Sequence, residues 1–241
     1  IKSLAEICKL KTPLLTYLNA LISYRLNCKG ELYWLEFSEF FRSSKLCNEY
    51  ERDLNVNVKD QILRSFNEFL RMSKCNRVSI QAKLKRLIRI SGMLELIYDT
   101  MLHKDFFKLW KLTYGLLKTR PESKTVVFSV KMAYYGLRAI EQYLNPLPMN
   151  IPIPVDIRIA KVTYYSRLLI GLTNWRELYM NTRAVVDVWN KIAHLSLIPP
   201  LHIDSLIWLL LNKSLRSKFR EILGNELLSK LIRELGINML N

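Results

Sequence analysis

The chain has 241 residues, half of them hydrophobic, and its 37 lysines and arginines outnumber 21 aspartates and glutamates to give a formal net charge of +16. This composition excludes a disordered chain, and no uncharged apolar run approaches the ~20 residues that a transmembrane helix needs. No secretory signal opens the sequence, so a cytoplasmic, nucleoid-associated protein is expected.

Hydrophobic residues recur with a helical period along nearly the whole chain, and no alternating pattern of a β-strand is evident. The predicted fold class is therefore all-α. The predicted helices span 13–27, 31–42, 58–72, 80–90, 104–117, 123–143, 157–170, 175–195, 202–211 and 218–235. Together they predict a single helical domain over 1–241, built as two helical lobes around a cleft, with a helix–hairpin–helix at about 104–143.

Two proline-rich segments interrupt the helical pattern. The first, 145–154, holds four prolines and cannot be helical, so it is predicted to be an ordered extended crossing that leads to Asp156. The second, 198–201, is an apolar turn with two adjacent prolines, and it leads to His202 and Asp204. Each segment therefore delivers a carboxylate close to the start of a helix.

The cysteines and histidines do not have the spacing of a metal site. Four cysteines lie at Cys8, Cys28, Cys47 and Cys75, and three histidines at His103, His194 and His202. Neither zinc nor iron–sulfur ligands are usually spread so widely in sequence. We interpret the cysteines as buried or incidental thiols in a reducing compartment, and we expect no metal and no cofactor.

Lys124 is a candidate nucleophile at the start of a predicted helix. A lysine attacks carbon only when it is unprotonated, and both burial and the positive end of a helix favour that form. Such an amine can form a Schiff base with C1′ of a deoxyribose. The net charge supports a nucleic-acid partner over the alternative, an anionic membrane surface, because the basic residues are dispersed. An ordinary surface lysine is the competing interpretation.

Two aspartates have both structural and functional interpretations. Asp156 directly precedes a predicted helix, where a carboxylate caps backbone N–H groups for about 1 kcal/mol. The cap would also hold the carboxylate ionised and fixed beside a reacting sugar. Asp204 could likewise cap a helix, or it could accept hydrogen bonds from the N–H groups of a guanine.

Three aromatic residues could stack on a base. Phe128 follows Lys124 by four residues, and Trp208 follows Asp204 by four, so each polar candidate shares a helix face with an aromatic ring. This pairing suits a pocket that receives a flipped base. Taken singly, Trp34, Phe128 and Trp208 are equally typical of a hydrophobic core.

Several blocks of the sequence form a set that spans most of the chain. They are 18–26, 29–31 with Trp34, Lys124 and Thr125 with Phe128, 151–156 followed by Arg158, and 198–202 with Asp204 and Trp208. Together these blocks resemble the archaeal GO glycosylase family. They occur in family order over most of the chain. The resemblance implies an all-α helix–hairpin–helix DNA glycosylase that removes 8-oxoguanine and cleaves the abasic strand.

The resemblance also implies roles for individual residues. Lys124 would be the nucleophile and Schiff-base lysine, and Asp156 the carboxylate that assists it. The residues around the oxidised base would be Trp34, Phe128 and Trp208, with Asp204 on its polar edge. A family glutamine should precede Ile1, so part of the natural N-terminus is expected to lie outside this sequence.

The sequence therefore predicts a monomeric bifunctional 8-oxoguanine glycosylase and lyase that acts on damaged DNA without a membrane. One alternative keeps the chemistry and changes the lesion to another oxidised base. The other is a non-catalytic helical DNA-binding protein.

Overall fold

All regular secondary structure in residues 1–48 and 56–240, which the computed structural model describes, is helical. This confirms the all-α class. The α-helices are α1 (Lys2–Cys8), α2 (Thr12–Ile22), α3 (Gly30–Arg42), α4 (Lys45–Asn48), α5 (Val56–Met72), α6 (Ile80–Ser91), α7 (Leu94–Leu102), α8 (Phe106–Leu117), α9 (Lys124–Arg138), α10 (Ile157–Tyr165), α11 (Trp175–Met180), α12 (Thr182–Ser196), α13 (Pro200–Leu211) and α14 (Arg216–Glu234).

Every predicted helix overlaps an observed one, but several boundaries differ. The segment predicted as one helix over 175–195 is split at Asn181 into α11 and α12, because Asn181 leaves helical geometry. Helices α1, α4 and α7 were not predicted. The chain divides into two compact units, the first formed by residues 1–121 and 125–145 and the second by 122–124 and 146–241.

The core of the first unit centres on α2, whose residues are all buried. Most of its residues are apolar and all are buried, which is typical of a helix surrounded by others. Helix α9 approaches it closely at Gly136, where a Cβ atom would lie 2.6 Å from the Pro13 Cα. The Thr16 hydroxyl donates to the Met132 carbonyl at 2.9 Å across the same contact.

The four cysteines of the first unit form two disulfides, Cys8–Cys47 and Cys28–Cys75. The prediction of free thiols is therefore wrong. The sequence separations of 39 and 47 residues carry no recognisable spacing, and only the tertiary fold brings each pair together. Crosslinks that close such long loops restrict the unfolded chain strongly.

A buried polar network joins α2, α3 and α6 in the first unit. The Tyr33 hydroxyl donates to Asn19 Oδ1, and Asn76 Nδ2 donates to the Tyr33 oxygen at 3.0 Å. Asn76 Nδ2 also donates to the Ile22 carbonyl at 3.2 Å, and Lys83 Nζ donates to Asn76 Oδ1. These hydrogen bonds offset the cost of burying Tyr33, Asn76 and Lys83, whereas Asn19 Nδ2 is buried without a hydrogen-bond partner among the described residues.

The core of the second unit forms around Trp189, which is buried and donates its indole N–H to the Thr163 hydroxyl at 2.8 Å. The proline-rich segment contributes Ile151 and Ile153, both fully buried, to the same unit. It is non-helical as predicted and runs directly into α10. Buried apolar residues that alternate with prolines thus fix the position of Asp156, the residue before α10.

Within the described residues no single helix is long and apolar enough to span a membrane; α12 and α13 meet the length and composition test only when taken together across their 98° bend.

Candidate active site

Asp156 is the N-cap of α10, as predicted. Its backbone is extended, and its Oδ1 accepts from the backbone N–H groups of Arg158 at 2.9 Å and Ile159 at 3.1 Å. The side chain is only 10% exposed. These two hydrogen bonds satisfy donors that any helix leaves unpaired at its first turn, and they fix the carboxylate plane.

The second oxygen of Asp156 faces two cations. Arg158 donates to Oδ2 through Nε at 2.8 Å and through Nη2 at 2.6 Å. Lys124 Nζ approaches the same oxygen at 3.4 Å, longer than the ~2.8 Å of a strong charge-assisted bond. The guanidinium therefore holds the carboxylate, and the amine lies beside it.

This environment sets the charge of Asp156. Burial alone raises the pKa of the carboxyl group, but the charges of Arg158 and Lys124 and the hydrogen bonds from Arg158 and Ile159 outweigh it, so the pKa lies below its usual value. Asp156 is consequently a carboxylate at neutral pH. It can stabilise positive charge nearby, and it is a weak base for proton removal.

Lys124 is the first residue of α9 and its side chain is 56% exposed. Burial, one of the two conditions that would favour the unprotonated amine, is therefore not met by this side chain. The amine is nevertheless beside the carboxylate that the proline-rich segment delivers, at the 3.4 Å distance given above. An exposed amine next to a fixed carboxylate is accessible to a large substrate such as DNA, which a buried lysine would not be.

Two of the aromatic candidates meet in the first unit. The rings of Trp34 and Phe128 lie with their centroids 6.3 Å apart and their planes at 77°, an edge-to-face contact. Trp34 makes a second such contact with Phe37 at 5.5 Å. Both Trp34 and Phe128 are half-buried, so each retains free ring surface for a planar ligand.

The other two candidates lie on α13 in the second unit. Asp204 is buried, and Trp208, one turn later, is 36% exposed. Because α13 begins at Pro200, Asp204 lies within the helix, and the interpretation of Asp204 as a helix cap is wrong. His202 Nε2 accepts from the Leu147 backbone N–H at 3.0 Å, which joins the start of α13 to the proline-rich segment.

Arg158 is the site residue to which sequence reasoning gave no role. A donor side chain two residues after an N-cap aspartate lies in the first helical turn, next to the cap carboxylate. The spacing of Asp156 and Arg158 in the sequence could therefore have indicated this contact.

Among the residues that the structure describes, no group of three or more histidine, cysteine, aspartate or glutamate side chains could hold a metal ion.

The chain is similar to known proteins along almost its whole length. The profile of the AGOG family, described as N-glycosylase/DNA lyase, matches residues 1–239. An N-glycosylase/DNA lyase of Methanopyrus kandleri is 38% identical over 225 residues, which are 92% of this chain and 80% of the relative. One of Methanococcus maripaludis is 34% identical over 203 residues, 83% of this chain and 71% of the relative.

A solved structure is similar as well. The crystal structure of Pa-AGOG, an 8-oxoguanine DNA glycosylase from Pyrobaculum aerophilum complexed with 8-oxoguanosine, matches with a TM-score of 0.74 at 26% sequence identity. The match covers 98% of this chain and 84% of the other.

Proposed function

The chain belongs to the AGOG family of N-glycosylase/DNA lyases, and from this membership we propose that it excises 8-oxoguanine from DNA and then cleaves the strand at the abasic site. One observation carries the proposal for this chain. The Lys124 amine, on a solvent-exposed side chain, lies 3.4 Å from a carboxylate oxygen of Asp156, while that carboxylate is buried and ionised.

Lys124 is the proposed nucleophile for both reactions. Its unprotonated amine bonds to C1′ of the damaged nucleotide while the bond from C1′ to the base breaks, and the base leaves with the electron pair. The nitrogen loses a proton to the departing base, its lone pair then opens the bond from C1′ to O4′, and O4′ takes up a proton from solvent, which gives a protonated Schiff base. Loss of a proton from C2′ expels the 3′ phosphate by β-elimination. The same nitrogen thus serves the glycosylase and the lyase step.

Asp156 is proposed to act by charge. The sugar becomes positive as the base departs, and the Schiff base is positive when protonated, so an ionised carboxylate stabilises both. Its low pKa, caused by Arg158 and Lys124 against the opposing effect of burial, keeps it ionised throughout. Rigid hydrogen bonds to the first turn of α10 mean that little reorganisation is needed during the reaction.

Four residues are proposed to contact the oxidised base. Trp34 and Phe128 offer ring surface on which a flipped purine can stack. Trp208 offers a further ring, and the Asp204 carboxylate suits the N–H groups of an oxidised guanine. Residues 1–241 would function together as one catalytic domain, a monomer acting on nucleoid DNA, in agreement with the net charge of +16.

Sodium borohydride trapping on a duplex with one 8-oxoguanine tests the proposal. Wild type should give a covalent complex and an incised strand, because borohydride reduces the Schiff base. Lys124→Gln should give neither, whereas Lys108→Gln, which removes an exposed lysine of α8, should trap normally. Trapping by Lys124→Gln at the wild-type rate would contradict the assignment of the nucleophile.

A panel of duplexes with other oxidised bases tests the lesion. Preference for an oxidised pyrimidine over 8-oxoguanine would change the substrate while leaving the chemistry in place. Duplex binding without incision of any lesion would instead indicate a non-catalytic DNA-binding protein.

A further inference from the structure

Two loops of the first unit, 23–29 and 73–79, are fastened to each other. The Cys28–Cys75 disulfide crosslinks them, and the Asn27 backbone N–H donates to the Cys75 carbonyl at 2.8 Å. A longer hydrogen bond of 3.4 Å runs from Arg25 Nη1 to the Ser79 hydroxyl. We call these segments the crosslinked loops. The three connections hold the loops in a fixed relation.

Cations gather around one tyrosine of the crosslinked loops. Lys83 Nζ lies 4.8 Å and Arg86 Cζ 4.6 Å from the centroid of the Tyr24 ring. Arg86 is held in place by donating to the Leu21 carbonyl at 2.7 Å. The Lys83 side chain is fully buried and is held by Asn76 in the network described above. Two cations are thus fixed beside one aromatic ring before any ligand arrives.

The pKa values of Lys83 and Arg86 are lowered by burial and by neighbouring positive charge. Burial and then the charges of Arg25 and Arg86 lower the pKa of Lys83 to about 8. Burial likewise lowers the pKa of Arg86, and the charge of Arg89 adds to that effect. Like charges held together in this way disfavour the folded state, and a bound anion would relieve that repulsion.

Glu36 is the acidic side chain that contacts the crosslinked loops. One of its oxygens accepts from the Ser73 hydroxyl at 2.6 Å, and the other accepts from the Lys74 backbone N–H at 2.6 Å. Its carboxylate is therefore engaged by the loop backbone. The charges that shift the pKa of Lys83 are both cationic, so the cluster around Tyr24 carries an excess of positive charge.

Arg25 presents this charge to solvent. The residue is exposed, and its backbone φ of 50° lies in the left-handed region that residues other than glycine rarely adopt. Backbone strain of this kind recurs at sites that bind ligands. The same loops carry three further exposed basic residues, Lys29, Lys74 and Arg77. A guanidinium in such a setting can make paired hydrogen bonds to phosphate oxygens.

We propose that Arg25, Lys83 and Arg86 form a binding site for a backbone phosphate of DNA, in loops held together by the Cys28–Cys75 disulfide. This inference rests on the proposed function, which supplies DNA as the partner. Arg25 makes the direct contact, and the other two cations supply a fixed positive field around Tyr24. The cluster suits a phosphodiester because it offers several hydrogen-bond donors. Contact with a phosphate does not require a carboxylate or an amide that reads a base.

The salt dependence of binding to an undamaged duplex tests the site. Each phosphate contact contributes about 0.9 to the slope of log Kd against log [NaCl] for duplex DNA. Arg25→Gln should therefore reduce the slope by about one contact, while Arg25→Lys should keep most of it. Arg64→Gln, which removes an exposed arginine from the middle of α5 in the same unit, is the matched control and should leave the slope unchanged.

Two outcomes would overturn the inference. One is an unchanged slope in Arg25→Gln, and the other is an equal fall in Arg64→Gln, which would show diffuse attraction instead of a site. Thermal unfolding of each variant checks that it is folded.

Borohydride trapping separates this inference from the proposed function. Arg25→Gln should still trap 8-oxoguanine DNA at low salt, because Arg25 takes no part in the chemistry. If wild type shows the predicted slope and never traps, the proposed function fails and the phosphate site stands. If wild type traps and Arg25→Gln keeps the full slope, only the phosphate site fails.

Discussion

Arg158 donates twice to one oxygen of Asp156, at 2.8 and 2.6 Å, and this is the oxygen that Lys124 approaches at 3.4 Å. The arginine and the lysine therefore compete for the same acceptor. Because the guanidinium already donates twice to this oxygen, the amine makes one long contact of 3.4 Å with it and not a close ion pair. This leaves the Lys124 nitrogen near stabilising charge and free to move towards a sugar.

The first prediction concerns the pKa of Asp156 when Arg158 is changed. Burial of the carboxyl group raises its pKa, and Arg158 contributes the largest opposing effect. Arg158→Gln should therefore raise the pKa, and Arg158→Lys, which keeps the charge and loses the paired hydrogen bonds, should raise it less. A carbon-13 NMR titration of labelled aspartate measures the Asp156 pKa in both variants. An unchanged pKa in Arg158→Gln would contradict the structure.

The second prediction is the pH dependence of stability at Asp156. Its pKa in the folded protein is below the unfolded value of 3.8, so its contribution is present above about pH 4 and is lost as pH falls through the folded pKa. Asp156→Asn should be less stable than wild type at pH 7 by about 1–3 kcal/mol. Urea unfolding should show that this difference in unfolding free energy shrinks below pH 4. A difference that grew in acid would contradict the predicted direction.

The third prediction uses Lys83, whose folded pKa of about 8 is below the usual 10.5 because of burial, Arg25 and Arg86. The unfolded chain binds more protons between these values, so Lys83 makes stability rise with pH from 8 to 10.5. The side chain also faces Tyr24 and, through Asn76, Tyr33, whose own pKa burial raises above this range.

Comparison with Lys83→Met isolates this effect. The unfolding free energy of wild type relative to Lys83→Met should increase from pH 7 to pH 10. Lys85→Met, which removes an exposed lysine of α6, serves as the control. Its unfolding free energy should depend on pH as that of wild type does. A constant offset between wild type and Lys83→Met over that range would show that Lys83 keeps an ordinary pKa.

The fourth prediction concerns the Cys28–Cys75 disulfide, which joins residues 47 apart in sequence. Cys28→Ser should lower the unfolding free energy by about 2–4 kcal/mol, since the unfolded chain regains its freedom. Wild type in dithiothreitol should lose more unfolding free energy than Cys28→Ser does without reductant, because the Cys8–Cys47 disulfide is reduced as well. Equal stability of wild type with and without reductant would show that neither bond stabilises the fold.

Local signals explain what the sequence could predict. Asp156 caps α10 through residues two and three positions away, so its place at a helix start follows from short-range patterns alone. The non-helical course of 145–154 likewise follows from the prolines themselves. The pairing of Lys124 with Asp156, 32 residues apart, was inferred from an amine and a carboxylate that each lie at the start of a predicted helix. The family resemblance strengthened it, because no spacing rule joins two residues so far apart.

Tertiary contacts explain what the sequence could not predict. Helix α2 was expected to continue to residue 27 but ends at Ile22, where Asn76 donates to the Ile22 carbonyl and the disulfide fixes the following loop. Helix α10 ends at Tyr165, against which Gly236 packs so closely that a Cβ there would lie 2.6 Å from the Tyr165 carbonyl carbon. Partners this distant in sequence leave no periodic pattern.

The last prediction is the cost of a methyl group between α2 and α9. A Cβ atom at Gly136 would lie 2.6 Å from the Pro13 Cα, a backbone atom that cannot turn aside, so Gly136→Ala should destabilise the protein by about 1–3 kcal/mol. Gly115→Ala in α8 meets open space and should stabilise it by about 0.5–1 kcal/mol through helix propensity.

Urea midpoints of the two alanine variants should therefore move in opposite directions. Because α9 begins with Lys124, borohydride trapping by folded Gly136→Ala adds a second readout. A methyl group that separates the helices should also break the hydrogen bond from Thr16 to Met132 and shift the start of α9, which would slow trapping. Equal midpoints for both variants would show that the two helices do not approach as closely as the structure has them.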